Sequence, residues 1–300
     1  MDAEKAALML DADPDYRVLR RLKERNSFAP VPNRPMQRGV IVDTETTGLD
    51  PAAGTIIEIG LIVFDYDPAT GQPIHIVDTY GALEDPGHAL NADTTAITGI
   101  TDAMVAGQRI DDARVIELVR NATIVIAHNA AFDRPFLEIR LPVFQSLPWS
   151  CSLVDIDWAA EKVGVRTLEY LAFQMGFFFS AHRAQSDCRA LLEILAQPLP
   201  QSGAIGFKSL LERRDTRSYI VYAFNAPFAS KDILKVRLYR WNAAEKVWCR
   251  TVVGQTAFQE ECAWLKHVVY GGRTQKLVFE EHTAATRFST GRCARSTTMA

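Results

Sequence analysis

The sequence predicts an α/β domain built on a mixed central sheet, followed by a small basic α+β domain. Three observations lead there. Strand-like apolar runs open the domain at Val40 to Asp43, Ile56 to Phe64 and Ile74 to Tyr80, and helical and strand patterns alternate after them. Turn residues crowd 197–203. Charge divides the chain at about the same place: residues 1–200 carry 17 Lys+Arg against 28 Asp+Glu, a net −11, and residues 201–300 carry 16 against 8, a net +8.

The elements follow in order. Tyr16, Leu19 and Leu22 or Lys23 recur at helical steps, and Pro30, Pro32 and Pro35 then impose an extended path, so residues 1–37 read as a helix and lead-in. The main domain is expected over 38–197. Residues 65–73 are dense in turn formers, which predicts an antiparallel hairpin between the second and third strands. A short element around Thr94 to Ile97, a helix near Asp111 to Val119 and a strand at Thr123 to Ala127 come next. A helix is expected from about Asp133, with Pro135 in its first turn where a missing N–H costs nothing. A strand at Trp149 to Leu153 and helices at Val154 to Val163, Leu168 to Met175 and Ser186 to Ala196 complete the domain.

Residues 198–206 read as a linker. The accessory domain, 207–288, is expected to hold a helix at Phe207 to Arg214 and strands at Tyr219 to Phe224, Val236 to Trp241 and Val247 to Val253, with a hairpin turn at Asn242 to Lys246. Residues 289–300 are small and polar and are expected to form a flexible tail.

Composition narrows the class. With 48% hydrophobic and 23% charged residues, the chain has the make-up of a globular protein with a real core. It holds no apolar stretch of the roughly 18 residues that span a bilayer and opens on a mixed-charge segment, so a cytoplasmic protein with no membrane partner is expected. The five cysteines form no C-x-x-C pair, which argues against a zinc cluster or a disulfide framework.

Asp43 and Glu45 follow directly on Val40-Ile41-Val42, and the period of a strand sends both carboxylates out on one side. Gly48 and Pro51 end the strand at once and leave the acids at the lip of a sheet. Asp133 stands where a strand turns into a helix, and Asp187 in the first turn of another, with His182 in the loop before it. Four carboxylates brought together repel one another, and two Mg²⁺ or Mn²⁺ ions would offset this, since oxygen ligands suit hard cations. Two such ions are a device for phosphoryl transfer. A free histidine side chain has a pKa near 6.5 and can take a proton from water, so His182 is the candidate general base for an attacking water.

The segments Asp43-Thr44-Glu45-Thr46-Thr47-Gly48-Leu49, His128-Asn129-Ala130-Ala131-Phe132-Asp133 and His182-Arg183-Ala184-Gln185-Ser186-Asp187 resemble the three motifs of the DEDDh 3′–5′ exonucleases. These DnaQ-like enzymes include the proofreading subunit of bacterial replicative polymerase. Ile97-Thr98-Gly99-Ile100-Thr101 is similar to a further landmark of that family. The resemblance covers about residues 38–197 and implies a ribonuclease H-like mixed sheet flanked by helices. It implies that Asp43, Glu45 and Asp187 hold the ion carrying the nucleophilic water, and that Asp43 binds the second ion with help from Asp133. Thr46, Thr47, Gly48, Leu49 and His128 are the residues expected near the terminal nucleotide; a turn with a core leucine, and a structural histidine, are the alternatives. Glu58 contacts a hydroxyl of that nucleotide or faces the sheet edge.

The implied activity is a two-metal 3′–5′ exonuclease acting on the 3′ ends of single-stranded nucleic acid, DNA favoured. An exoribonuclease and a binding subunit with secondary nuclease activity are the alternatives. Without polymerase motifs, a proofreading role would need a DNA polymerase, or another replication or repair protein, as partner. In the basic domain, Arg240-Trp241-Asn242 and Lys246-Val247-Trp248 are similar to a small bacterial accessory module. Its tryptophans either stack on bases or form the core of a small sheet.

Overall fold

The first helix, α1 (Ala3–Asp11), lies upstream of the helix expected around Tyr16 in the computed structural model, which describes residues 2–291 and 293–299. The segment around Tyr16 to Lys23 is extended instead. Its backbone is claimed by another strand: Arg20 N donates to Gly176 O (3.1 Å) and Leu22 N to Phe178 O (2.8 Å). The result is a parallel pair of β1 (Arg20–Arg21) with a later strand, Phe177–Phe178.

Strands β2 (Gln37–Thr46), β3 (Ile56–Asp67) and β4 (Gln72–Leu83) form the antiparallel half of the main sheet. Short helices α2 (Ala92–Thr98) and α3 (Asp102–Val105) lead to α4 (Asp112–Val119). β5 (Ile124–Ala127) then joins β2 in parallel, and after α5 (Ala130–Arg140), β6 (Trp149–Cys151) joins β5. The sheet order is β4-β3-β2-β5-β6. It is the mixed sheet that the sequence predicts. α6 (Leu168–Gln174), β7 (Phe177–Phe178), α7 (Ala184–Leu195) and α8 (Gly206–Arg214) complete this part.

Two helical expectations fail for local reasons. Residues 154–163 form successive turns, because aspartates compete with the helix ladder: Asp155 Oδ2 accepts from Cys151 N (2.8 Å) and Asp157 Oδ1 from Ala160 N (3.1 Å). α5 starts at Ala130, three residues early, so Pro135 lies inside the helix rather than in its first turn.

The core explains where the sheet sits. Ile41, Ile62, Phe64 and Tyr66 pack with Trp158 and the Cys188, Leu191, Leu192 and Leu195 face of α7. Phe207, Leu210 and Leu211 belong to the same cluster, as does Leu199. The two compact units of the chain accordingly divide between Leu211 and Glu212. The stretch expected as a linker, 198–206, is thus tied in by the burial of Leu199 and by a bridge between Pro198 and Ile205.

The second unit carries β8 (Ser218–Ala223), α9 (Lys231–Val236), β9 (Arg240–Asn242), β10 (Val247–Val253), α10 (Gln255–Trp264), β11 (Lys276–His282) and β12 (Arg295–Met299). Its sheet order is β12-β11-β8-β10-β9. The strand expected from Val236 begins only at Arg240, since α9 occupies Lys231–Val236 and closes with Arg237 N donating to Ile233 O (3.0 Å). Part of the expected tail is also ordered: Ser296 to Thr298 pair with Leu277 to Phe279, so the small polar residues serve as an edge strand.

Candidate active site

Asp43, Glu45 and Asp187 form the one cluster among the described residues that could hold a metal ion. Each offers a ligand oxygen, and these atoms lie within 4.8 Å of one another. β2 positions the first two. Asp43 stands opposite Gly60 and Glu45 opposite Glu58, and the register slips by a bulge just after Glu45. Bulges of this kind are common beside functional sites.

Asp187 comes from α7, and Gly60 decides how near that helix can come. A Cβ on Gly60 would lie 2.3 Å from the Ala184 carbonyl carbon, so only glycine lets the first turn of α7 rest on the sheet. Glu58, buried beside it, completes the seat. Its carboxylate accepts from Arg183 Nη2 (3.0 Å), Arg183 Nε (3.1 Å) and the Ala184 backbone N–H (3.2 Å). Asp187 Oδ2 in turn accepts from Arg183 N at 2.9 Å. Glu58 therefore faces Arg183 and the start of α7.

Asp133 is buried but does not join the cluster of converging ligand atoms. Its Oδ1 accepts from Thr44 N (3.0 Å) and Thr44 Oγ1 (2.8 Å), which ties α5 to the strand between Asp43 and Glu45. Sequence reasoning passed over Thr44 and Gly60. Gly60 carries no local signal, because its place opposite Asp43 depends on the β2–β3 register.

The four acids strain one another's ionisation. Burial lifts Asp43 far above the ordinary carboxylate range, reinforced by Asp133, Asp187 and Glu45. Burial and then Asp187 bring Glu45 to about 7. Asp133 rises to about 7 through burial, despite the Thr44 hydrogen bonds. Asp187 rises to about 6 through burial, offset in part by the Arg183 N–H and the His182 charge. Carboxylate oxygens that cannot all ionise together suit a hard divalent cation, so these residues fit the implied metal.

His182 holds a left-handed backbone (φ 62°), and its side chain is half exposed. Its Nε2 lies 3.7 Å from Glu169 Oε1 on α6. His128 is engaged inward at both ring nitrogens: Nε2 donates to Arg166 O (2.8 Å), and Nδ1 pairs with Ser152 Oγ (2.8 Å). Burial lowers its pKa, consistent with a neutral ring. Both ring nitrogens of His128 are thus used within the protein.

The β2–β3 loop is built differently from a packed turn. Thr46 Oγ1 donates to Gly48 O (2.6 Å), and Thr47 exchanges hydrogen bonds with Thr55. Thr94 and Asn91 of the α2 start both donate to Thr47 O at 3.3 Å. Gly48 has nothing within 4 Å of where a Cβ would stand, and Leu49 is 86% exposed. The leucine is no core residue.

A mixed sheet with acids gathered at the end of its central strand, faced by the first turn of a helix, defines a nuclease of the exonuclease class. A family model described as an exonuclease matches residues 40–195, and the chain belongs to this DnaQ-like 3′–5′ exonuclease family. It is 34% identical over 165 residues to the DNA polymerase III subunit epsilon of Treponema pallidum, covering 51% of this chain and 72% of that protein. It is 29% identical over 230 residues to a PolC-type DNA polymerase III of Thermotoga maritima; that match takes in 75% of this chain but only 16% of the relative's length. A solved E. coli exonuclease I complex with single-stranded DNA, in zinc-bound form, shares the fold with a TM-score of 0.53 at 15% identity, covering 77% of this chain and 68% of that one.

Proposed function

We propose that this chain hydrolyses the terminal phosphodiester at 3′ ends of single-stranded nucleic acid, releasing nucleoside 5′-monophosphates. The observation that carries this is the convergence of Asp43, Glu45 and Asp187 oxygens within 4.8 Å in a member of the exonuclease family. Asp43, Glu45 and Asp187 would hold Mg²⁺ or Mn²⁺, with Asp43 and Asp133 serving a second ion. Bound there, such ions activate a water and stabilise the leaving oxygen.

The remaining work falls to the chain's own groups. The fixed Thr44–Asp133 and Glu58–Arg183 contacts hold the carboxylates before substrate arrives, so little rearrangement opposes binding. Half-exposed His182 takes the proton of the attacking water onto its ring. Glu169 Oε1 lies 3.7 Å from the ring Nε2. Leu49, bare of core contacts, offers an apolar face to the terminal base, and open space over Gly48 lets the strand approach the backbone. Thr46 and Thr47 hold that loop in shape.

DNA is the favoured polymer because the relatives are named as parts of DNA polymerase III. A replicative DNA polymerase, or a replication or repair protein working with one, is the partner this reading expects. The deciding experiment incubates end-labelled DNA and RNA oligonucleotides with the chain, with Mn²⁺ or Mg²⁺ present or chelated. Stepwise loss of nucleotides from the 3′ end of DNA, abolished by chelation, is expected. Degradation that survives Asp187→Ala would overturn the assignment, and a strict need for 2′-hydroxyls would transfer it to RNA.

A further inference from the structure

The second unit holds a cavity of about 350 Å³ whose walls combine aromatic rings with lysines. Phe228, Trp241 and Trp248 supply the rings, and Lys231, Lys235 and Lys246 the charge; no acidic residue lines it. The pairing of the tryptophans is real: Trp241 and Trp248 stand opposite in the β9–β10 register, with ring centroids 5.5 Å apart at 62°. Yet the core of this unit is built elsewhere. Tyr219, Val221, Leu234, Tyr239, Phe258 and Leu265 make it, Trp248 packs on its margin, and Trp241 is outside it and 51% exposed.

Phe228 is 83% exposed, and Lys231 Nζ stands 4.7 Å from the centre of its ring. A large ring left in water beside a cation contributes little to folding. Lys246 adds a second sign. It sits at the hairpin turn with φ 52°, a left-handed conformation that glycine or asparagine would adopt more easily. The turn sets that backbone and leaves the Lys246 side chain at the rim of the pocket.

We propose that this pocket binds single-stranded nucleic acid, with an unpaired base on the Trp241 and Phe228 rings and the lysines on the flanking phosphates. Base-on-ring stacking tolerates any sequence because every base has a π face. The charge agrees, since this part of the chain is the basic one. The inference leans on the nuclease reading only in the choice of polymer, because binding needs neither metal nor hydrolysis.

The test measures anisotropy of a fluorescein-labelled oligothymidylate with the full chain in EDTA, so hydrolysis plays no part. Trp241→Ala should weaken binding about tenfold or more, and Trp241→Phe should restore most of it. Lys235→Gln should lower the salt dependence of log affinity by about 0.7. Lys246→Gly separates the site from the turn: the fold should melt no lower while affinity falls. A fully paired duplex should bind more weakly than the single strand. Unchanged affinity in Trp241→Ala and Lys246→Gly, with thermal melts intact, would overturn the inference, whether or not the chain degrades DNA. A chain that fails to hydrolyse DNA yet loses affinity in these variants would sink the nuclease reading and keep this one.

Discussion

The acid cluster of the first unit and the aromatic pocket of the second each gather charge of one sign, and they handle it in opposite ways. Asp43, Asp133 and Asp187 are held by rigid strand and helix ends, where burial makes each of them harder to ionise. Lys231, Lys235 and Lys246 project from exposed segments around rings that water still reaches. Burial sharpens the first site into a geometry that must be matched, as bond making requires. Exposure leaves the second site adaptable, as sequence-tolerant binding requires.

The difference can be broken at its strongest point first. Asp43→Ala or Asp187→Ala should lower the rate of nucleotide release by about a thousandfold or more while leaving the fold intact, since each loses a ligand and relieves repulsion. Single-turnover hydrolysis with a circular dichroism melt checks both halves. A variant of the basic pocket should instead raise KM on long strands and leave the chemical step alone. His182→Ala should cost about 10² to 10⁴ in kcat, the usual range for a lost general base, with the melting temperature unchanged because its side chain is half exposed. Retained activity there would assign the proton to another acceptor.

The seat of α7 gives the intermediate effect. Gly60→Ala drives a methyl against the Ala184 backbone and should destabilise by about 1–3 kcal/mol, an overpacking cost read in denaturant melts. Glu58→Gln keeps the shape but weakens the hold on Arg183, so kcat should fall severalfold with little change in the melt. A drop in stability as large as that of Gly60→Ala would make Glu58 a merely structural acid.

The motif acids were legible because they mark element ends: strand period placed Asp43 with Glu45, and helix starts placed Asp187. The main sheet was legible for the same reason, as Val40 to Val42 and Ile56 to Phe64 have no helical alternative. What stayed hidden depends on partners remote in sequence. Nothing local to Arg20 announces a pairing with Phe177, and nothing local to Phe207 says that it packs with Phe64 and Tyr66 rather than with the strands that follow it. The fate of Glu58 depended on register, which a single strand cannot supply.

The smallest effect follows from ionisation and tests the acid cluster without a mutation. Glu45 and Asp133 rise to about 7, and Asp187 to about 6, all above their ordinary values. A group raised on folding favours the folded state while protonated and loses that contribution as pH climbs through its folded pKa. The metal-free chain should therefore melt at a lower temperature at pH 8 than at pH 5.5, other groups being constant. A divalent ion needs the deprotonated carboxylates, so it competes with protons and binds more tightly as pH rises. Added Mn²⁺ should then raise the melting temperature by a few degrees at pH 8 and scarcely at pH 5.5. Asp43→Asn should flatten both trends, because one fewer charge leaves less repulsion for either a proton or an ion to relieve. An equal Mn²⁺ effect at the two pH values would mean that the ion binds elsewhere, and differential scanning fluorimetry of the two chains side by side decides it.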